Sequence, residues 1–272
     1  MAINFPSFNP VAFHIYGNIS ITWYGICWAI SIFMISLYMC FLDNSSAKRY
    51  KNKFIFHSYE DVLEIVTFTF IFTIIGAKIM WLITHYKSLI NDPLLMLASG
   101  GFTSFGALLG GYSALYYISF QKNIFYLNLW DLASCSIPIC LFGVRIGNFI
   151  NGELYGSTTD LPWGMIFPLA GDDIVRHPTQ LYGALIEGFL LYTLMYLLFI
   201  SYDYRLYPGR LTAIFWMIYP ILRFAIEFFK EPDPTIGKIG NLLTIGQILS
   251  MILFIIGIIM WQRLYKKWQK TC

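Results

Sequence analysis

The chain has 272 residues, 57% of them hydrophobic and only 12% charged, with a mean hydropathy of +0.61. That is too apolar for a water-soluble domain of this length, and a net charge of +3 is too small to mark a nucleic-acid partner. The sequence reads as an all-α integral membrane protein, and 19% aromatic residues suits side chains placed at headgroup level and against lipid.

Apolar stretches lie near 19–42, 62–85, 97–120, 127–150, 180–201, 211–229 and 240–262. Each approaches or exceeds the ~20 residues that a helix needs to cross a bilayer, which predicts seven transmembrane helices in one polytopic domain, 1–272. The first is expected to be a retained span rather than a cleaved leader, because no basic residue precedes Lys48 and its apolar run is too long for a signal sequence. Lys48, Arg49, Lys51, Lys53, Lys122, Arg205, Arg210, Arg263, Lys266, Lys267 and Lys270 fall on one side of these spans; Lys87, Arg176, Lys230 and Lys238 fall on the other. Eleven against four predicts the N-terminus outside and the C-terminus inside.

Between the fourth and fifth spans, residues 151–179 are punctuated by Gly156, Pro162, Gly164, Pro168, Gly171 and Pro178. This segment is expected to form a small head on the outer face, with a short strand within Trp163–Phe167. The cysteines, Cys27, Cys40, Cys135, Cys140 and Cys272, show neither a Cys-x-x-Cys pair nor metal-ligand spacing, and read as small buried hydrophobes.

Several polar residues converge at one depth. By helical rise, Tyr24, Arg145 and Arg223 lie about 8–12 Å below the outer surface, on spans one, four and six. Around Arg145 runs Gly143-Val144-Arg145-Ile146-Gly147-Asn148-Phe149-Ile150-Asn151-Gly152-Glu153-Leu154-Tyr155-Gly156; if the helix continues, Arg145, Asn148, Asn151 and Gly152 share a broad face that ends at Glu153. Arg and Asn donors together suit phosphate oxygens and glycerol hydroxyls, whereas the plainer reading of the asparagines is inter-helix packing. On span six, Tyr219, Arg223, Glu227 and then Lys230 or Glu231 form one polar stripe; the plainer reading is an Arg223–Glu227 pair that neutralises itself. His177, in Arg176-His177-Pro178-Thr179-Gln180-Leu181-Tyr182, is a candidate proton acceptor or a structural surface histidine. An arginine at bilayer depth calls for an anion, and the expected one is a lipid phosphate.

These motifs, with Leu222-Arg223-Phe224-Ala225-Ile226-Glu227-Phe228-Phe229-Lys230-Glu231-Pro232-Asp233, the early Trp23-Tyr24-Gly25 and the late Ile245-Gly246-Gln247-Ile248-Leu249-Ser250, resemble bacterial prolipoprotein diacylglyceryl transferases over essentially the whole chain. The resemblance implies an enzyme of the bacterial cytoplasmic (inner) membrane with its active site facing the periplasm. It would move the diacylglyceryl group of phosphatidylglycerol to the lipobox cysteine of a prolipoprotein, form a thioether and release glycerol phosphate, without metal or cofactor. Arg145 and Arg223 would hold the phosphate. Asn148, Asn151, Glu153, Tyr24, Gly156, Tyr219 and Glu227 would bind or shape the headgroup cavity, and His177 or Glu153 would take the thiol proton. Alternatives are a paralogue acting on another acceptor, or a non-catalytic phospholipid-binding membrane protein. Where many family members carry a histidine directly after Ser-Phe, this chain has Gly106; Lys78, Ser157 and Gly183 also differ from the common residues.

Overall fold

The computed structural model describes residues 3–6, 8–16, 19–51, 54–98, 101–201, 203–204, 206–231, 237–239 and 242–269. Lys53, Arg205, Pro232, Asp233, Lys270 and Cys272 of the sequence reading lie outside them. In chain order come β1 (Ile3–Asn4), β2 (Val11–Tyr16), β3 (Ile19–Thr22), α1 (Trp23–Tyr50), α2 (Tyr59–Thr84), α3 (Tyr86–Asn91), α4 (Pro93–Ala98), α5 (Ser104–Gln121) and α6 (Tyr126–Ile150). Then follow β4 (Met165–Ile166), β5 (Val175–Arg176), α7 (Thr179–Gly183), a π-helical stretch (Ala184–Leu190), α8 (Leu191–Ser201), α9 (Arg210–Glu227), β6 (Lys238–Ile239), β7 (Leu243–Thr244) and α10 (Ile245–Trp268).

Among the described residues, five helices are long and apolar enough to cross a membrane: Trp23–Tyr50, Tyr59–Thr84, Tyr126–Ile150, Thr179–Ser201 and Ile245–Trp268. Large apolar side chains stand exposed along them, among them Phe33, Ile71, Leu197 and Ile255, which suits lipid and not water. The other two expected spans coincide with α5 and α9, both 18 residues long. Glycines, serines and tyrosines dilute the apolar character of α5, and α9 carries Arg210, Arg223 and Glu227.

Several expected boundaries move for local reasons. Helix α1 starts at Trp23 because Ile19–Thr22 pairs antiparallel with Val11–Tyr16. Helix α5 starts only at Ser104, where the Thr103 hydroxyl accepts the Gly106 N–H at 3.2 Å as an N-cap. Helix α10 starts at Ile245 behind a full capping box, in which the Thr244 hydroxyl accepts the Gln247 N–H and the Gln247 side chain accepts the Thr244 N–H.

The chain divides into two compact units. One takes Ser36–Ala133 and Tyr204–Gly209. Its main packing is α2 on α5, a close approach licensed by glycines: a Cβ on Gly76 would strike the Gly106 carbonyl oxygen, and one on Gly106 would strike that of Gly76. Position 106 therefore has no room for a histidine in this helix pair. Asp131 is fully buried and accepts the Gly209 N–H at 2.7 Å.

The other unit takes Met1–Ile35, Ser134–Asp203 and Arg210–Cys272. Within 151–179 the strand expected in Trp163–Phe167 is Met165–Ile166, parallel to β1 and antiparallel to β5. Beneath it Phe167 is fully buried against Phe5 and Tyr155. Helices α9 and α10 pack together, and Gly257 lets α10 approach the carbonyl of Trp216, which Pro220 leaves without its helical donor.

Candidate functional site

The fourth span is expected near 127–150, with a continuation through Asn151 and Gly152 as a conditional; α6 ends at Ile150. Gly152 has φ +68°, its N–H donates to the Phe149 carbonyl at 2.9 Å, and the Glu153 N–H donates to the Asn148 carbonyl at 3.1 Å. This is a Schellman cap, which needs a residue at ease in left-handed backbone at Gly152. The reversal folds the Glu153 carboxylate back onto the helix end. Its Oε1 accepts the Asn148 Nδ2 at 2.9 Å and the Asn151 Nδ2 at 3.3 Å. The Oδ1 atoms of both asparagines are buried with no hydrogen-bond partner among the described residues. Leu154 follows with φ +57°, a strained conformation for a branched side chain.

One turn earlier on α6, Arg145 points to the helix formed by Thr179–Ser201. Gly183 makes the room, since a Cβ there would meet the Arg145 side chain. Arg145 donates from Nε at 3.0 Å and from Nη2 at 2.7 Å to one oxygen of Glu187. Glu187 is fully buried, and its other oxygen lies 3.7 Å from the Nε of Arg223 on α9. Arg223 in turn pairs with Glu227 at 2.8 Å, and Lys230 Nζ stands 4.0 Å from the same Glu227 oxygen. Glu227 also accepts the Thr244 hydroxyl at 3.2 Å, beside Gly246 at the N-terminus of α10, where the helix dipole favours its charge.

The structure thus brings Arg145 and Arg223 together on one carboxylate. The self-neutralising Arg223–Glu227 pair is present, but it does not use up the guanidinium: Nε and Nη1 of Arg223 are buried without a hydrogen-bond partner among the described residues. Tyr219, one turn before Arg223, is almost fully buried and stacks on Phe215. Tyr24 lays its ring against Gly147, close enough to Asn148 and Glu153 to interact electrostatically with them.

Gly156 and His177 form a neighbouring group. A Cβ on Gly156 would strike the Phe229 carbonyl, and Thr179 and His177 close its other sides. His177 Nδ1 lies 3.2 Å from the Tyr182 hydroxyl, which accepts Trp163 Nε1–H at 2.7 Å, and its ring packs edge-on to Phe229. Neither arginine is among its partners in the described residues. Burial holds the His177 imidazole below its ordinary 6.5. Just past the end of α9, burial and then the charge of Arg223 bring the Lys230 ammonium down to about 7.

Sequence reasoning missed Glu187. Its signal was available: a single carboxylate amid Ala184-Leu185-Ile186 and Gly188-Phe189-Leu190 is costly in a membrane helix unless it has a partner. The structure adds that the stretch is π-helical, a local widening that frequently accompanies functional sites.

The fold and this buried ionic centre are those of a multi-helix membrane protein with a charged interior. Residues 10–263 match the family model described as Prolipoprotein diacylglyceryl transferase, and the chain belongs to that family. It is 40% identical over 258 residues to a protein of Wolbachia sp. subsp. Drosophila simulans, with 94% of each chain covered. Another relative, from Ehrlichia ruminantium, is 39% identical, with 92% of this chain and 94% of its own length covered. A third, from Idiomarina loihiensis, is 35% identical over 97% of this chain and 96% of its own. All three are named phosphatidylglycerol–prolipoprotein diacylglyceryl transferase.

Proposed function

We propose that this chain transfers the diacylglyceryl group of phosphatidylglycerol to the lipobox cysteine thiol of prolipoproteins, the first step of bacterial lipoprotein maturation. The observation that carries the reading is the meeting of Arg145 and Arg223, from α6 and α9, on the two oxygens of one buried carboxylate, with N–H groups of Arg223 still unspent. A phosphodiester entering between them meets preorganised donors in a water-poor setting, where electrostatic stabilisation of a leaving anion is strongest.

In this reading the cysteine sulfur attacks the glyceryl carbon next to phosphate. The carbon–oxygen bond breaks, its electron pair stays on the phosphate oxygen, and glycerol phosphate departs. Arg145 and Arg223 hold that phosphate, while Asn148 and Asn151, oriented by Glu153, offer their unpaired amide oxygens to glycerol hydroxyls. Tyr24, Tyr219, Gly156 and Glu227 shape the chamber. The thiol proton passes to His177 or Glu153. His177 is the better acceptor, because its imidazole is kept neutral and the tautomer that donates from Nδ1 to Tyr182 leaves Nε2 open. The reaction as written draws on no metal or organic cofactor.

The wider reading is a single polytopic domain with seven spans, α5 and α9 added to the five most apolar. The charge bias puts the N-terminus and the 151–179 head on the periplasmic side of the bacterial inner membrane. The test is to incubate purified protein with phosphatidylglycerol vesicles and a lipobox peptide and seek the diacylglyceryl adduct on cysteine by mass spectrometry. Lipid consumed with the peptide unmodified would indicate another acceptor; lipid retained but not consumed would indicate a binding protein.

A further inference from the structure

Glu187 belongs to none of the motifs that carry the family resemblance, yet it lies at the centre of the buried charges. It is fully buried, it takes two N–H groups of Arg145, and its second oxygen faces Arg223. The cluster counts three cationic groups, Arg145, Arg223 and Lys230, against two carboxylates, Glu187 and Glu227. With Lys230 protonated the surplus is one positive charge, and it arises because Glu187 offsets one of the arginines.

We infer that Glu187 sets the charge selectivity of this site: it holds Arg145 and faces Arg223 until a singly charged phosphodiester enters, and it keeps the surplus too small to retain a doubly charged phosphomonoester. The inference rests on the phospholipid reading above and deepens it. A phosphodiester carries one negative charge, whereas a phosphomonoester such as glycerol phosphate carries about 1.5–2 near neutral pH. The diester therefore matches the surplus and the released monoester exceeds it. In a buried site an uncompensated charge is expensive, so the mismatch favours product departure. Lys230, with its ammonium near the middle of its titration at about 7, adjusts the charge as an anion enters. The arrangement also explains why a carboxylate stands between two arginines: without it only Glu227 would offset their combined charge.

The experiment measures binding of two soluble anions to the full-length protein in nanodiscs by calorimetry at about pH 6.5, where Lys230 is mostly protonated: glycerophosphoglycerol, a monoanionic diester, and glycerol 1-phosphate. Wild-type protein is expected to prefer the diester. Glu187→Gln is expected to tighten the monoester about tenfold or more while moving the diester by less than about threefold, reversing or erasing the preference. Glu187→Asp, which keeps the charge, is expected to preserve it. If Glu187→Gln fails to fold, Lys230→Met supplies the opposite arm, since removing a positive charge should weaken the monoester more than the diester. An unchanged ratio in Glu187→Gln, or in Lys230→Met where that arm is used, overturns the inference, as does a wild-type protein that binds neither anion. Both ligands are read by binding, so a lipobox peptide left unmodified by the wild type would sink the transferase reading and leave this result standing.

Discussion

Two arginine–carboxylate centres in the same unit use the same chemical groups to different ends. In the 151–179 segment, Asp172 spends both oxygens on one guanidinium, at 2.5 and 2.9 Å from Arg176, and the arginine also lies over the Tyr155 ring. That bond holds the Asp172 carboxyl below its ordinary value and raises Arg176. Between α6 and α9, Glu187 is fully buried and divided between two guanidiniums, and two nitrogens of Arg223 lack acceptors among the described residues, against one, Nε, in Arg176. The Asp172–Arg176 pair, in which Asp172 also accepts the Ile174 N–H and Arg176 lies 3.9 Å from Glu231, acts as a clasp for a loop whose carboxylate is partly exposed. The shared one leaves part of a buried guanidinium unpaired among the described residues.

The comparison breaks most sharply at the shared centre. Arg145→Ala or Arg223→Ala is expected to lower thioether formation by about a thousandfold or more, with helical content retained, and circular dichroism beside the peptide assay checks both. Normal product from either variant would remove the phosphate-holding role. Gly156→Ala comes next: its methyl must displace the Phe229 carbonyl or His177, so a fall of about a hundredfold in kcat/KM is expected, against a small change in Tm.

In the unit that holds α2 and α5, Gly106→His should fail structurally rather than chemically. Overpacking against the Gly76 carbonyl is expected to cost roughly 1–3 kcal/mol, read as a lower Tm in detergent, and a variant as stable as the parent would contradict the close packing. The pH profile sharpens the choice of proton acceptor. Protonation removes the base, and burial holds His177 below 6.5, so kcat/KM should stay level down to about pH 6.5 and fall on the acid side of it; His177→Gln should abolish that limb. An acid limb that survives the substitution assigns the proton elsewhere. The smallest effect belongs to the clasp: Asp172→Asn should slightly lower Tm and leave turnover within about twofold.

Much of the site was legible in one dimension. Arg145, Asn148 and Arg223 announce themselves because ionisable and amide groups in apolar helices are costly without partners, and the Tyr219–Arg223–Glu227 spacing marks a single helix face. The shape of the α6 end was harder to read. Asn151, Gly152 and Glu153 fit a continuing helix equally well by spacing, until the positive φ of Gly152 closes the cap and turns Glu153 back onto the two asparagines.

By itself the amino-acid order determined a membrane-embedded helical chain and its polar stripe, and marked Arg145 and Arg223 as candidate site residues, because burial costs and helical period are local properties. Tertiary packing alone decided that both guanidiniums face Glu187 and that position 106 admits no side chain. Each of those facts depends on which helix faces which across the fold, and no spacing along one chain encodes the distance between groups on separate helices.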